Sequence, residues 1–185
     1  MSKVKFKFEK LVRDLVPFEM VQNNIEVHYK ILSSKDRIVY LRKKLLEEIH
    51  ELCTATTRNE IIAEIGDVYD VLNELYALNQ IVLQHNFEMD IYSLHKNLIQ
   101  NAQNIAIETF NDDKKILIVY ELLYCLIKAL NVDIEEIFVV RQIKYEKRGG
   151  FKLGIYINYI EICQYSNAEA VQYFKNLPEK YLIIL

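Results

Sequence analysis

From residue 36 to residue 148, apolar side chains recur at spacings of three and four with almost no interruption, which commits most of the chain to amphipathic helices. Leu41, Leu45, Ile49 and Leu52 mark a helix over about 36–54, with Asp36 near its N-terminus. Ile61, Ile65, Val68, Leu72 and Leu75 mark a second over about 60–80, for which Asn59 is a cap. A third is predicted over about 90–109 and a fourth over about 113–130, reached through Asn111, Asp112 and Asp113. The last runs over about 133–148, from Asp133 to a stop at Gly149 and Gly150. Four glycines and two prolines in 185 residues fall far below ordinary usage, so turn-rich all-β architectures are excluded. The expected class is all-α, a bundle of about five helices in one domain spanning 1–185. Lys3, Val4, Lys5, Phe6, Lys7 and Phe8 alternate with a period of two, and Ile155 to Cys163 is the other β-like run. The two either pair as a short sheet or remain irregular ends packed on helices.

A faint internal repeat links LRKKLLEEIHEL (Leu41 to Leu52) with LHKNLIQNAQNI (Leu94 to Ile105). The leucines and one lysine match, while Glu47, Glu48 and Glu51 correspond to Gln100, Asn101 and Asn104. Two helical hairpins, about 36–80 and 90–130, would then form a pseudo-twofold pair with one charged site, unless the likeness is only that of two leucine-rich helices. The formal charge of −3 argues against a non-specific nucleic-acid binder. The longest uncharged run, 13 residues from Leu75 to Phe87, is too short and too polar to span a membrane. The start, MSKVKFKFEK, lacks the apolar core of a signal peptide. Cys53, Cys125 and Cys163 are widely spaced and form no CxxC, as reduced thiols of a cytoplasmic protein would. His28, His85 and His95 belong to no cluster along the sequence, and His50 reads as a surface residue.

The informative feature is EEIHE at 47–51 followed, after twelve residues, by EIGD at 64–67. At about 100° per residue and with Leu41 at zero, Leu45 falls near about 40°, Leu52 near about 20° and Glu48 near about −20°. Glu48 therefore points into the apolar arc, with Glu51 and Glu47 further round toward one edge. Glu64 and Asp67 sit on a shoulder of the second apolar stripe, whereas Asp70 lies opposite it and reads as solvated. Carboxylates gathered between helices repel one another and lose solvation, so they call for raised pKa values or a cation. Oxygen ligands without cysteine or paired histidine suit Mg²⁺, with Mn²⁺ the alternative. The competing reading pairs Glu47 and Glu51 with Lys43, Lys44 or Arg58 on a solvated face.

The order EExxE (Glu47, Glu48, Glu51) then ExxD (Glu64, Asp67) resembles the all-α nucleotide pyrophosphohydrolases, the MazG-like and phosphoribosyl-ATP pyrophosphohydrolase-like superfamily. KLVRDLVP at 10–17 and KYEKRGGF at 144–151 resemble the start and end motifs of the latter branch, so the likeness brackets most of the chain. The resemblance implies Mg²⁺-dependent cleavage of a nucleoside triphosphate or related nucleotide between its α and β phosphates. It also implies Glu48, Glu51, Glu64 and Asp67 as metal ligands, with Glu47 a candidate for handling the attacking water. Cations for the phosphates are offered by Lys144 and Arg148, which share a helix face, and by Lys10 and Arg13. Gly149 and Gly150 are either a phosphate-approaching turn or a plain helix stop, and Phe151 either stacks on a base or closes the bundle.

The stretch from about 85 to 130 departs from the short members of that family, as a degenerate repeat replacing a second subunit or as a specificity lid. A homodimer is compatible with either, given 13 tyrosines. Phosphoribosyl-ATP is the alternative substrate, and a nucleotide- or partner-binding protein without turnover is the non-enzymatic alternative. Glu47 and His50 also read as ExxH, a di-iron ligand pair, but that site needs a second ExxH which the chain lacks.

Overall fold

The computed structural model describes residues 3–79, 91–107, 113–163 and 183–184. It is mostly helical, as the periodicity requires, but carries a small antiparallel sheet that makes a purely all-α description too narrow. The elements run β1 (Lys3–Leu11), α1 (Val16–Gln22), β2 (Ile25–Ile31), α2 (Ser34–Thr54), α3 (Arg58–Asn79), α4 (Ile91–Ile107), α5 (Asp113–Ala129), α6 (Ile134–Arg148), β3 (Ile155–Cys163) and β4 (Ile183–Ile184). Chain contacts divide them into two compact units, Ser34–Glu146 and the described residues of Met1–Ser33 with Lys147–Leu185.

The second of these units holds the sheet, in the order β2-β3-β1-β4. β1 and β3 pair antiparallel, Lys3 opposite Cys163 and Lys7 opposite Tyr159, so the two β-like runs do form one sheet. The period of two sorts β1 as expected: Phe6 and Phe8 pack on a core of Met20, Ile25, Ile157, Ile160 and their neighbours. Lys5 sits over the Tyr159 ring and Lys7 pairs with Glu9. β2 was not anticipated. It pairs with β3, Glu26 opposite Glu161, and a register shift after His28 leaves Tyr29 and Ile31 exposed. Also unforeseen is α1, which opens with Pro17 in its first turn, where the missing N–H costs nothing.

In the unit Ser34–Glu146, α2 packs on α3 and α4, and α5 packs on α4 and α3, closing a four-helix ring. The buried stripes of α2 and α4 coincide at the offset of 53, as a repeat or two leucine-rich helices would both give: Leu41, Leu45, Ile49 and Leu52 are buried, and so are Leu94, Leu98, Ala102 and Ile105. Helix limits agree with the periodicity to within about two residues. The start of α3 differs in its cap. Thr57, not Asn59, is the capping residue: its hydroxyl accepts the Glu60 N–H at 3.2 Å while Glu60 Oε2 accepts the Thr57 N–H at 3.0 Å, a reciprocal capping box. At α6, Asp133 Oδ1 accepts the Glu135 N–H at 3.0 Å, as expected of a cap. Gly149 ends α6 with φ +73°, beyond the comfort of a residue with a Cβ. Asn111, Asp112 and His85 lie outside the described residues. Among the described residues, no helix is long and apolar enough to cross a membrane.

Candidate functional site

α2 and α3 carry the acidic motifs on facing sides because Leu45, Ile49 and Leu52 on one helix and Ile65, Val68 and Leu72 on the other are fully committed to the core. That packing fixes the rotation of both helices, and the carboxylates follow. Glu48 is 4 % exposed, as its phase among the leucines requires. Ligand oxygens of Glu48, Glu51 and Glu64 all lie within 4.8 Å of one another. Glu64 Oε2 is buried and has no hydrogen-bond partner among the described residues.

Two lysines balance this charge. Lys44 Nζ sits 2.6 Å from Glu48 Oε1 and 3.4 Å from Glu47 Oε1. Lys144, reaching in from α6, donates to Asp67 Oδ2 at 2.5 Å and to the Ala63 carbonyl at 3.1 Å. The lysines do not neutralise the whole set. Burial pushes the Glu48 carboxyl up to about 7; Lys44 opposes the rise, and the charges of Asp67 and Glu51 add to it. Burial likewise carries Glu64 to about 7, reinforced by Asp67 and Glu48. Burial also works against the Lys44 ammonium, yet Glu48, Glu47 and Glu51 outweigh it and hold its pKa above the lysine range. In the Lys44–Glu48 pair the lysine therefore stays charged and the glutamate titrates.

The donor set is oxygen only, which suits a hard divalent cation. Glu48, Glu51 and Glu64 would hold such an ion, and Glu64 Oε2, buried and without a hydrogen-bond partner among the described residues, is the kind of atom it would satisfy.

The other predicted contacts divide. Lys144 joins the acidic set, whereas Lys10, Arg13 and Arg148 belong to the sheet-containing unit. Lys10 is half-buried on β1, opposite Ile157. Arg13 is buried, donates to the Gly149 carbonyl at 3.0 Å and lies 4.9 Å from the centre of the buried Phe151 ring. Arg148 lies 3.3 Å from Glu19, and the Asp14 carboxylate accepts the Lys152 and Leu153 N–H groups at 3.1 and 3.0 Å.

Two readings of single residues need correction. Asp70 is not a solvated surface residue: its side chain is 13 % exposed and bonded at 2.8 Å to Arg141, because α6 covers that side of α3. His28 does belong to a cluster, with Glu26 Oε1 at 3.3 Å and Glu161 Oε1 at 3.9 Å, created by the β2–β3 pairing. Lys3 pairs with both of those glutamates. The bond from Arg141 to Asp70 has a sequence signal in hindsight, the spacing of three that repeats from Asp67 to Asp70 and from Arg141 to Lys144. Compared with protein-family models, with curated proteins and with solved structures, the chain matches none.

Proposed function

We propose that the chain is a Mg²⁺-dependent pyrophosphohydrolase that cleaves a nucleoside triphosphate between its α and β phosphates, giving a monophosphate and pyrophosphate. The observation that carries this reading is the convergence of the Glu48, Glu51 and Glu64 oxygens within 4.8 Å, in a buried setting that two lysines leave under-compensated. Clustered, desolvated carboxylates are costly to a fold and useful to a cation. The ordered likeness of EExxE, ExxD and the two flanking motifs to the pyrophosphohydrolases supplies the reaction class.

In this reading Glu48, Glu51, Glu64 and Asp67 hold the ion. Bound there, Mg²⁺ would neutralise phosphate charge and lower the pKa of coordinated water. Lys144, which pairs with Asp67, would offer its ammonium to a phosphate beside the ion. Glu47, 20 % exposed and held at 3.4 Å from Lys44, is positioned at the wet edge of the cluster to accept a proton from the attacking water. Everything the chain itself contributes is positioning and charge, which is most of what phosphoryl chemistry asks of a protein.

The test is pyrophosphate release by the purified chain with Mg²⁺ over ordinary and damaged nucleoside triphosphates and phosphoribosyl-ATP. Wild-type turnover that drops by about 100-fold or more in Glu48→Gln and Asp67→Asn supports the assignment. Pyrophosphate released equally well by folded Glu48→Gln protein, or no release from any nucleotide, overturns it.

A further inference from the structure

α3 and α6 run antiparallel and meet in a ladder. Asp67 bonds Lys144, Asp70 bonds Arg141 one turn further along, and at the next turn Asn73 and Phe138 line a common cavity. Gly66 lets the helices approach, since a Cβ there would stand 2.9 Å from Arg141 Cγ. The cavity measures about 300 Å³, enough for a planar heterocycle, and α5 closes it with Tyr120 and Tyr124.

Its lining is aromatic and polar at once. Tyr69 and Tyr120 stand edge to face with ring centres 5.0 Å apart, and Tyr69 hydrogen-bonds to Tyr120. The Arg141 guanidinium lies 5.5 Å from the Tyr69 ring centre and 5.7 Å from that of Phe138, anchored by its 2.8 Å bond to Asp70. Phe138 is 51 % exposed, so part of its ring is free for a ligand, and the exposed Asn73 amide offers one donor side and one acceptor side. Ile134 and Ile137 complete the wall, most of which is aromatic or polar. A cationic guest is disfavoured because a guanidinium already covers two of the rings. Flat rings with a donor–acceptor amide at their edge are what a nucleobase requires.

Position adds the second half of the argument. Six residues separate Asp67 from Asn73, and six separate Lys144 from Phe138. Each is about 9 Å along a helix axis, the reach of a ribose and its first phosphate. We propose that this cavity seats the base of the nucleotide whose phosphates the acidic cluster engages, with Phe138 as the stacking surface and Asn73 reading the base edge. The assignment rests on the pyrophosphohydrolase reading. It gives the second hairpin a role: α5 supplies the tyrosine wall and with it base selectivity.

Calorimetry on the full chain separates the two ideas, using the five common nucleoside 5′-monophosphates and, separately, inorganic pyrophosphate with Mg²⁺. Phe138→Ala and Asn73→Ala alter exposed residues, and circular dichroism confirms their folding. At least one monophosphate binds the wild type, about 10-fold or more weaker in Phe138→Ala, while Asn73→Ala narrows the differences among bases and pyrophosphate binding is untouched. Pyrophosphate binding with no monophosphate binding, or monophosphates bound equally by wild type and Phe138→Ala, overturns the cavity assignment and leaves the acidic site standing. Phe138-dependent monophosphate binding without any pyrophosphate binding keeps the cavity and sinks the pyrophosphohydrolase reading.

Discussion

Raising the pH without metal should weaken the fold over a window where few proteins change. Glu48 and Glu64 ionise near pH 7 in the folded chain, against an ordinary carboxyl value of 4.5. A carboxyl with a raised folded pKa binds its proton more tightly when folded. Its contribution is complete below about pH 4.5 and is lost as pH climbs through about 7. For the nearly fully buried Glu48, a rise from 4.5 to about 7 corresponds to about 3 kcal/mol. Glu64 is only partly buried and shares its repulsions with Glu48, so it adds a fraction of that. Between about pH 5.5 and about pH 8 the part of this that is lost is about 2 kcal/mol, which lowers the melting temperature by roughly 4–8 °C for a chain of this size. Carboxyls held below 4.5 titrate under the window: Glu60 by the backbone N–H groups of Thr56 and Thr57, Glu136 by Arg58 and Glu26 by Lys3. The assay is thermal unfolding by far-UV circular dichroism at about pH 5.5 and about pH 8, with EDTA and with Mg²⁺. The apo melting temperature falls at the higher pH, Mg²⁺ restores it chiefly there, and Glu48→Gln flattens the apo pH dependence. An apo melting temperature that holds or rises between the two pH values, or a Glu48→Gln protein less stable than wild type at about pH 8, refutes the reasoning.

Gly149→Ala forces a side chain into a φ +73° position with Asp14 Cβ and Leu15 Cγ each 3.2 Å away, so unfolding by denaturant should show a loss of about 1–3 kcal/mol. An unchanged midpoint would remove the strain argument. Thr57→Ala deletes one half of the capping box at α3 and should cost about 1 kcal/mol in the same measurement, whereas Asn59→Ala should cost almost nothing.

The helices were legible because their burial is one-sided and repeats at 3.6 residues, and Glu48 was legible for the same reason: its phase relative to Leu41, Leu45 and Leu52 is arithmetic. Asp70 was misread because a helix wheel knows only one packed face, while α3 is covered on a second side by α6 through Gly66, Tyr69 and Asp70. Strand β2 carried a usable signal, Ile25, Val27, Tyr29 and Ile31 alternating with polar residues, but its burial breaks after His28, where the register shifts. The His28 cluster was beyond reach because Glu26 and Glu161 are brought together only by strand pairing across 135 positions, 161 minus 26. Thr57 was overlooked in favour of Asn59 because capping is decided by where the first helical turn closes, not by which residue has the stronger cap preference.

The comparison within the chain bears most directly on why the acidic residues are there. At an offset of 53, the buried stripe of α2 reappears in α4, so the packing role of this helix type is filled twice. Glu48 corresponds to Asn101, and Lys44, its partner, to Asn97. In α2 the link is a side-chain ion pair of 2.6 Å; in α4 the Asn101 amide instead donates to the main-chain carbonyl of Asn97 at 2.7 Å. Gln100 and Asn104, at the places of Glu47 and Glu51, bond each other at 3.3 Å. These amides bond within the helix at half-buried or exposed positions and carry no net charge, so α4 packs without a counter-ion. α2 differs in that it buries Glu48, where Asn101 is half-buried and Gln100 exposed, and it does so with carboxylates that are desolvated against their mutual repulsion. Packing alone therefore does not require Glu47, Glu48 or Glu51. Acid and lysine stand together in α2 and are replaced together in α4, as expected if the charge serves a cation and its ligand rather than the bundle.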